Sequence, residues 1–361
     1  MRVAIVHDWL NQVGGAESVL EVLKEIYPHA PIYTSIYWPK AMPLQYREWE
    51  IHTSWLDNLP VIKKHHQPFL PLYPLAFEGF DLCGYELVIS NKSAFCHGVI
   101  TPPETVHVCY CLTTTRFLWD YHNYARHEGI SPVARALLTP FLYSLRLWDK
   151  AAADRVEHFV AISETVRQRI HKYYRREAAV IHPPVEIRRF QVQERRDDYF
   201  LIVSRLIPYK RIDLAVQAFN VLGLPLKIIG DGRDRPRLET MANANIEFLG
   251  RLPDQQVGEY LSRCRAFVFP GQEDFGIAPL EAQAAGRPVI AYAGGGALET
   301  VVEGMTGLFF REPTAESLAE AVSLFDADAF DGATIRRYAQ GFDRETFKSK
   351  LRAFVDERLG L

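Results

Sequence analysis

Two doubly wound α/β domains facing one another across a cleft are the fold this sequence predicts, and three observations carry it. Strand-like apolar runs alternate with amphipathic helical runs almost from end to end, the pattern of parallel sheets covered by helices on both faces. The chain has 361 residues, 48% hydrophobic and 24% charged, which is enough material for two cores. Between the halves, "IHPPVEIRRFQVQERRDD" (residues 181–198) joins two prolines to a charge-rich stretch with neither helical nor strand period, and it reads as a linker.

Taken in order, "RVAIVHD", "IYTSIY", "YELVISN", "VHVCYC" and "HFVAIS" are the strand candidates of the first half, with "AESVLEVLKEI" a helix between the first two. Beyond the linker, "YFLIVSR", "LKIIGDG", "IEFLG", "AFVFPG" and "PVIAYAG" repeat the strand theme, and "IDLAVQAFNVL", "VGEYLSRC", "APLEAQAAG" and "AESLAEAVSLF" supply helices. The apolar spacing in "RETFKSKLRAFVDERLGL" predicts a last helix after that pattern ends. Domains are therefore expected over residues 1–185 and 199–340, with a terminal helix over 341–361. In such sheets ligands bind beyond the carboxyl ends of the strands.

Composition excludes several classes. A net charge of -3 argues against nucleic acid as a partner, since that needs a basic excess or stripe. The five cysteines are odd in number and lack C-x-x-C spacing, which points to reduced thiols in the cytoplasm. The opening "MRVAIVHDWL" meets Asp8 too early for a signal peptide, and no apolar run is long enough to span a bilayer.

The stretch "PGQEDFGIAPLEAQAAGRPVIAY" (residues 270–292) sets Glu273 and Glu281 around the start of a helix. There the amides of Gly276, Ile277 and Ala278 form a phosphate pocket at the positive end of a helix dipole. Glu281 is expected in the first turn, with Pro279 close to the helix start. Carboxylates beside a phosphate pocket suit a ligand that carries hydroxyls next to its phosphates, because carboxylates accept strongly from sugar OH groups. A nucleotide sugar has that chemistry. Taken alone, Glu281 could equally complement the helix dipole and Glu273 be solvated. "VSRLIPYKRID" adds Arg205 and Lys210 beyond another strand, two cations able to neutralise a diphosphate without a metal. Gly230, in "IIGDG", supplies a turn after a third strand.

"RLIPYKRID", "IIGDG", "FLGRL" and "GQEDFGIAPLEAQAAGRPVIAYAGGGALETV", together with "VHDWLNQVGGAE", "YELVISN", "VCYCLTTTRFLWDY" and "FVAISETVRQRI", resemble retaining family-4 glycosyltransferases of the GT-B fold. They resemble the branch of that family, often mannosyltransferases, that acts in polysaccharide and lipopolysaccharide assembly. The resemblance implies that Arg205 and Lys210 hold the donor diphosphate, Glu281 the ribose hydroxyls and Glu273 the transferred sugar. It implies base contacts from backbone around Gly250 and Arg251, phosphate contacts at Phe275, Gly276 and Ile277, and an amino-domain loop at Gly14 and Gly15 that approaches the donor. The terminal helix would cross back to the first domain. The implied reaction is same-face transfer of a hexose, mannose from GDP-mannose, to a glycan or lipid-linked acceptor. It needs no cofactor, no metal and no carboxylate nucleophile, and works by positioning and by stabilising the departing diphosphate.

One departure stands out: Leu112 occupies a position where many relatives carry a histidine that contacts the donor sugar. Arg116 is the candidate nearby for the acceptor or donor side, against a structural ion pair. Thr113, Asp120, His97 and Asp8 are further candidates, each with a structural reading as an ordinary buried or capping residue. The Asp-x-Asp of "DADAFDG" (residues 326–332) reads as a solvated acidic turn rather than a metal site. "KKHH" (residues 63–66), flanked by apolar and aromatic residues, suggests a peripheral contact with the inner face of a membrane, against a proline-broken loop packed on the first domain. A Rossmann oxidoreductase is disfavoured because "HDWLNQVGG" lacks the G-x-G-x-x-G turn. A sugar-nucleotide-binding protein that has lost turnover is the alternative that Leu112 motivates.

Overall fold

The computed structural model describes residues 1–121 and 132–360. It divides into one unit comprising Met1–Pro184 with Phe347–Leu361, and a second comprising Val185–Thr346.

Among the described residues the first unit contains a seven-stranded parallel sheet in the order β3-β2-β1-β4-β5-β6-β7. The strands are β1 (Val3–His7), β2 (Ile32–Thr34), β3 (Ile51–Thr53), β4 (Leu87–Lys92), β5 (Val106–Cys111), β6 (His158–Ala161) and β7 (Ala178–Val180). Every residue of β1 and β4 is buried, as expected for central strands covered on both faces. The order reverses between β1 and β4, and such a switch point leaves a crevice at the carboxyl ends of the strands. Helix Gly15–Ile26 follows β1. Helix Pro132–Asp154 was not among the sequence expectations; Pro140 interrupts its pattern without ending it. From the terminal helix Arg344–Leu359, the residues Phe347, Leu351 and Val355 are buried. Phe347 meets the Tyr110 ring edge-on at 5.4 Å, and Lys348 pairs with Glu25 at 2.7 Å.

The second unit has, among the described residues, a six-stranded parallel sheet in the order β10-β9-β8-β11-β12-β13. Its strands are β8 (Phe200–Val203), β9 (Leu226–Ile229), β10 (Ile246–Gly250), β11 (Phe267–Phe269), β12 (Val289–Tyr292) and β13 (Gly307–Phe310). Its switch point lies between β8 and β11. Phe200 anchors one core face, with its ring 5.1 Å from that of Phe219 on helix Ile212–Leu222.

Residues 185–198 are not a free linker. Val185 bridges Asp343, a 3-10 turn covers Ile187–Arg189, and Phe190 is buried, so this stretch belongs to the second unit. Charge and proline hid a short ordered segment whose partners are distant in sequence. The acidic turn at 326–332 has a capping role: Asp326 accepts from the Asp328 amide, and Asp331 caps helix Gly332–Gln340 by accepting from Ala333 and Thr334.

Candidate functional site

In the second unit the sequence candidates gather at the carboxyl ends of adjacent strands. Arg205 follows β8, Gly230 follows β9, Gly250 ends β10 with Arg251 next, and Glu273 lies in the loop after β11. The Gly230 amide donates to the Gly250 carbonyl at 2.8 Å, tying two of these turns together.

Gly276 opens helix Ile277–Ala284 with φ of +94°, and no side chain caps that end. A left-handed N-cap favours glycine, and eight helical residues align their amides toward the loop that carries Glu273. The Phe275 side chain is buried, with its ring 6.0 Å from that of Phe342. Glu281 is the fifth residue of the helix, so it begins the second turn rather than lying in the first.

The charges in this region are largely matched. The Lys210 ammonium pairs with the Glu273 carboxylate and lies 5.5 Å from the centre of the Tyr209 ring. Glu281 Oε1 accepts from Arg189 Nη2 at 2.9 Å, and Arg189 Nη1 donates to Asp254 at 2.6 Å. Burial pushes the Glu281 carboxyl up to about 7; Arg189 pulls it down and Asp254 pushes it up. Arg205 is exposed, and among the described residues its side chain has no ion pair or hydrogen bond.

Sequence reasoning missed two contributors. Arg189 was assigned to the linker, where nothing local marks it. The turn after β12 was visible as "GGG" but given no role. There the Gly296 amide donates to the Glu273 carbonyl at 2.9 Å. A Cβ on Gly295, whose φ is +64°, would stand 2.2 Å from that same carbonyl oxygen, so the Glu273 backbone can sit there only against glycine.

The first unit treats its candidates differently. Gly14 is the extended N-cap of helix Gly15–Ile26, and it and Gly15 are exposed. Next to them, buried His7 meets Glu17 at 3.3 Å, while Asn91 donates to the Ala16 carbonyl at 2.8 Å. Arg116 begins the short helix Arg116–Trp119. Leu112 and Thr113 are half-buried, and Asp120 is exposed.

Asp8 is a structural acceptor, contrary to its candidacy. Its carboxylate takes the Ser93, Ala94, Phe95 and Cys96 amides and the Ser93 hydroxyl at 2.6–2.9 Å. His97 is fully buried against Asp149 and stacked on Tyr174, and burial holds its imidazole well below the usual range. Beside it lies a network that sequence reading did not find. Lys92, fully buried, donates to the Thr113 carbonyl at 3.1 Å and the Thr115 hydroxyl at 2.9 Å. Asp149, also fully buried, accepts from Thr115, Trp119 and Tyr174 at 2.7–2.9 Å. Burial pulls the Lys92 ammonium down, but Asp149, Cys111, Cys109 and Asp8 together leave it above its ordinary value. This network fixes the segment after β5 in which Leu112 and Arg116 lie.

Within "KKHH", Lys63 pairs with Asp57 at 3.0 Å, and His66 packs on Trp9 with ring centres 4.8 Å apart. Val61 and Leu75 nearby are exposed. No described helix is long and apolar enough to cross a membrane, and no metal-holding group of three or more His, Cys, Asp or Glu side chains occurs among the described residues. The cysteines are free thiols, four of them buried.

Residues 185–340 match the sequence model of the family described as Glycosyl transferases group 1. The chain is 27% identical over 333 residues to the uncharacterized glycosyltransferase MJ1178 of Methanocaldococcus jannaschii, covering 89% of this chain and 87% of that one. It is 28% identical over 260 residues to a GDP-mannose-dependent alpha-mannosyltransferase of Mycobacterium tuberculosis, covering 69% and 65% of the two chains. Among solved structures it superposes on Alr3699/HepE of Anabaena, in complex with UDP, with a TM-score of 0.73 and 16% identity over 99% of this chain and 100% of that one. The fold is thus the two-sheet α/β type of GT-B glycosyltransferase structures.

Proposed function

We propose that this chain, whose residues 185–340 match the Glycosyl transferases group 1 model, is a retaining glycosyltransferase that moves mannose from GDP-mannose to a glycan or lipid-linked acceptor. The observation that carries the reading is the placement of Arg205 and Lys210 after β8, and of Glu273 and the uncapped helix Ile277–Ala284 that carries Glu281 after β11, on the two sides of the sheet's switch point. Two cations and a helix amino terminus suit a diphosphate, and two carboxylates suit the hydroxyls on either side of it.

In this reading Arg205 and Lys210 take the diphosphate, with the backbone of Phe275, Gly276 and Ile277. Glu281 accepts from the ribose diol and Glu273 from the transferred sugar. The Gly250 and Arg251 backbone meets the base beside the Gly230 turn. Gly14, Gly15 and Arg116 serve from the first unit. When the donor arrives, Lys210 exchanges its bond to Glu273 for the phosphates, which frees that carboxylate for the sugar. The acceptor hydroxyl attacks as the diphosphate departs, and a leaving phosphate oxygen takes its proton. Charge stabilisation of the leaving group is the main catalytic contribution.

GDP-mannose is preferred because relatives named for that donor are among the matches, although the superposed Anabaena structure holds UDP. A thermal-shift panel of GDP, UDP, ADP and dTDP sugars, followed by transfer of the labelled sugar to membrane lipid extracts, tests donor and reaction together. Stabilisation by GDP-mannose and transfer insensitive to EDTA are expected; stabilisation by none of the panel would end the reading. Leu112 favours a second reading, a sugar-nucleotide-binding protein without turnover, and donor binding with neither transfer nor slow hydrolysis would select it. A peripheral membrane contact by residues 59–77 of a cytoplasmic enzyme is tested by co-sedimentation with anionic liposomes at low salt, where absence of binding removes it.

A further inference from the structure

Arg189 joins distant parts of the second unit at one carboxylate. It closes the 3-10 turn Ile187–Arg189, and its two terminal nitrogens reach Glu281 on one helix and Asp254 on another, at 2.9 and 2.6 Å. Its guanidinium lies 4.8 Å from the centre of the Phe190 ring. Phe190 is buried, and its carbonyl accepts from Arg336 at 2.7 Å. The turn is therefore anchored by Phe190 below Arg189 and by two ion pairs beyond it.

An arginine shared between carboxylates is commonly a surface pair of little consequence. Here the two partners differ. The Asp254 side chain is 80% exposed, whereas that of Glu281 is 20% exposed. Asp254 acts as a tether that orients the guanidinium; Glu281 is the group whose state depends on it. Glu281 Oε2 has no hydrogen-bond partner among the described residues, so the arginine fixes one oxygen and leaves the other available.

We propose that Arg189 is a positioning residue of the donor site, holding Glu281 as an aimed carboxylate acceptor for the vicinal hydroxyls of a nucleotide ribose. The inference rests on the donor reading of Glu281 above. Only the ionised carboxyl accepts from both hydroxyls of a diol. Burial raises the Glu281 carboxyl, Arg189 opposes that rise and Asp254 adds to it, and the net position is about 7. Several other charged groups on the packed elements are engaged elsewhere. Arg336 of helix Gly332–Gln340 donates to the Phe190 and Ala284 carbonyls. On helix Asp254–Arg263, Arg263 pairs with Asp197 and Glu259 accepts from Gln255 at 3.5 Å. In the loop ahead Lys210 pairs with Glu273.

The sign follows from the direction of the shift. Glu281 is ionised above its raised pKa, so nucleotide affinity rises with pH through about 7. Loss of Arg189 moves that rise to higher pH. The test is calorimetric binding of GDP, UDP and ADP to the full chain between about pH 6 and about pH 9, for wild type, Arg189→Gln and Arg189→Lys. It is paired with carbon-13 carboxyl titration of Glu281 in the ligand-free proteins. Arg189→Gln is expected to bind about fivefold more weakly at pH 7, as a one-unit rise in a carboxyl pKa that starts at about 7 implies, and to recover at the alkaline end. Arg189→Lys restores the wild-type midpoint and also reports if the glutamine variant fails to fold. Superimposable pH curves, or a loss equal at every pH, overturn the inference. If wild type binds none of the three nucleotides, the donor reading falls as well; if it binds and only the pH curves coincide, Arg189 alone loses its role.

Discussion

Both units place polar side chains beyond the carboxyl ends of parallel strands, yet the two sets have opposite fates. In the first unit Asp8 holds five hydrogen bonds from the segment after β4, and Lys92, Asp149 and His97 are fully buried in one network. In the second, Arg205 is exposed, while the Lys210–Glu273 and Arg189–Glu281 pairs keep between 13% and 29% of their side chains in contact with solvent. Position at a strand end therefore does not distinguish a working group from a scaffold. What does is whether its hydrogen-bonding capacity is saturated by partners that cannot leave.

Removing Lys92 should break the comparison most forcefully. Lys92→Met strands Asp149 as a buried charge and is expected to cost about 3–5 kcal/mol, read from urea midpoints. A normal midpoint with reduced turnover would instead move that network into the catalytic machinery. Lys210→Ala should do the reverse: kcat falls about 10²–10³-fold, as when one charge-stabilising donor is removed, with little change in midpoint. Unchanged kinetics would contradict the diphosphate assignment.

Acid sharpens the contrast more gently. His107 is fully buried, and burial, aided by Arg155, lowers its pKa to about 3. Between the ordinary histidine value of about 6.5 and that lowered one, the unfolded chain binds a proton that the native state refuses. Stability is thus intact above the upper value and falls as pH drops below it, by about 1.4 kcal/mol per unit. Burial acts on His97 in the same direction. Urea midpoints from neutral pH to about pH 5 should show the combined slope, and His107→Gln should remove about half of it. The smallest effect belongs to a surface pair outside both sets: Lys150→Ala, which breaks a 2.6 Å contact with exposed Asp154, should shift stability by less than about 0.5 kcal/mol.

The central strands were legible because they are apolar on both faces, and the helices between them because their apolar stripes repeat. Three of the four edge strands were not: β3 is "IHT", β7 is "AAV" and β13 is "GLFF", each short and without a period that registers. Helix Pro132–Asp154 was concealed by Pro140. At the site, glycines and charges next to strand ends could be read locally, so Arg205, Lys210, Glu273 and Glu281 were accessible to sequence reasoning. Arg189 was not, because its meaning lies in a contact with a residue 92 positions away. The same distance hid Asp8, whose partners lie 85 to 88 positions on. The sequence showed a lone aspartate; the fold supplies the amides that occupy it.

The Lys210–Glu273 pairing has a kinetic consequence. With that ammonium already neutralised by Glu273, it adds little to the long-range guidance of an anion, which is left to Arg205, Arg251 and the helix terminus. Capture should owe little of its salt dependence to Lys210, with discrimination among anions arising after encounter, when the lysine changes hands.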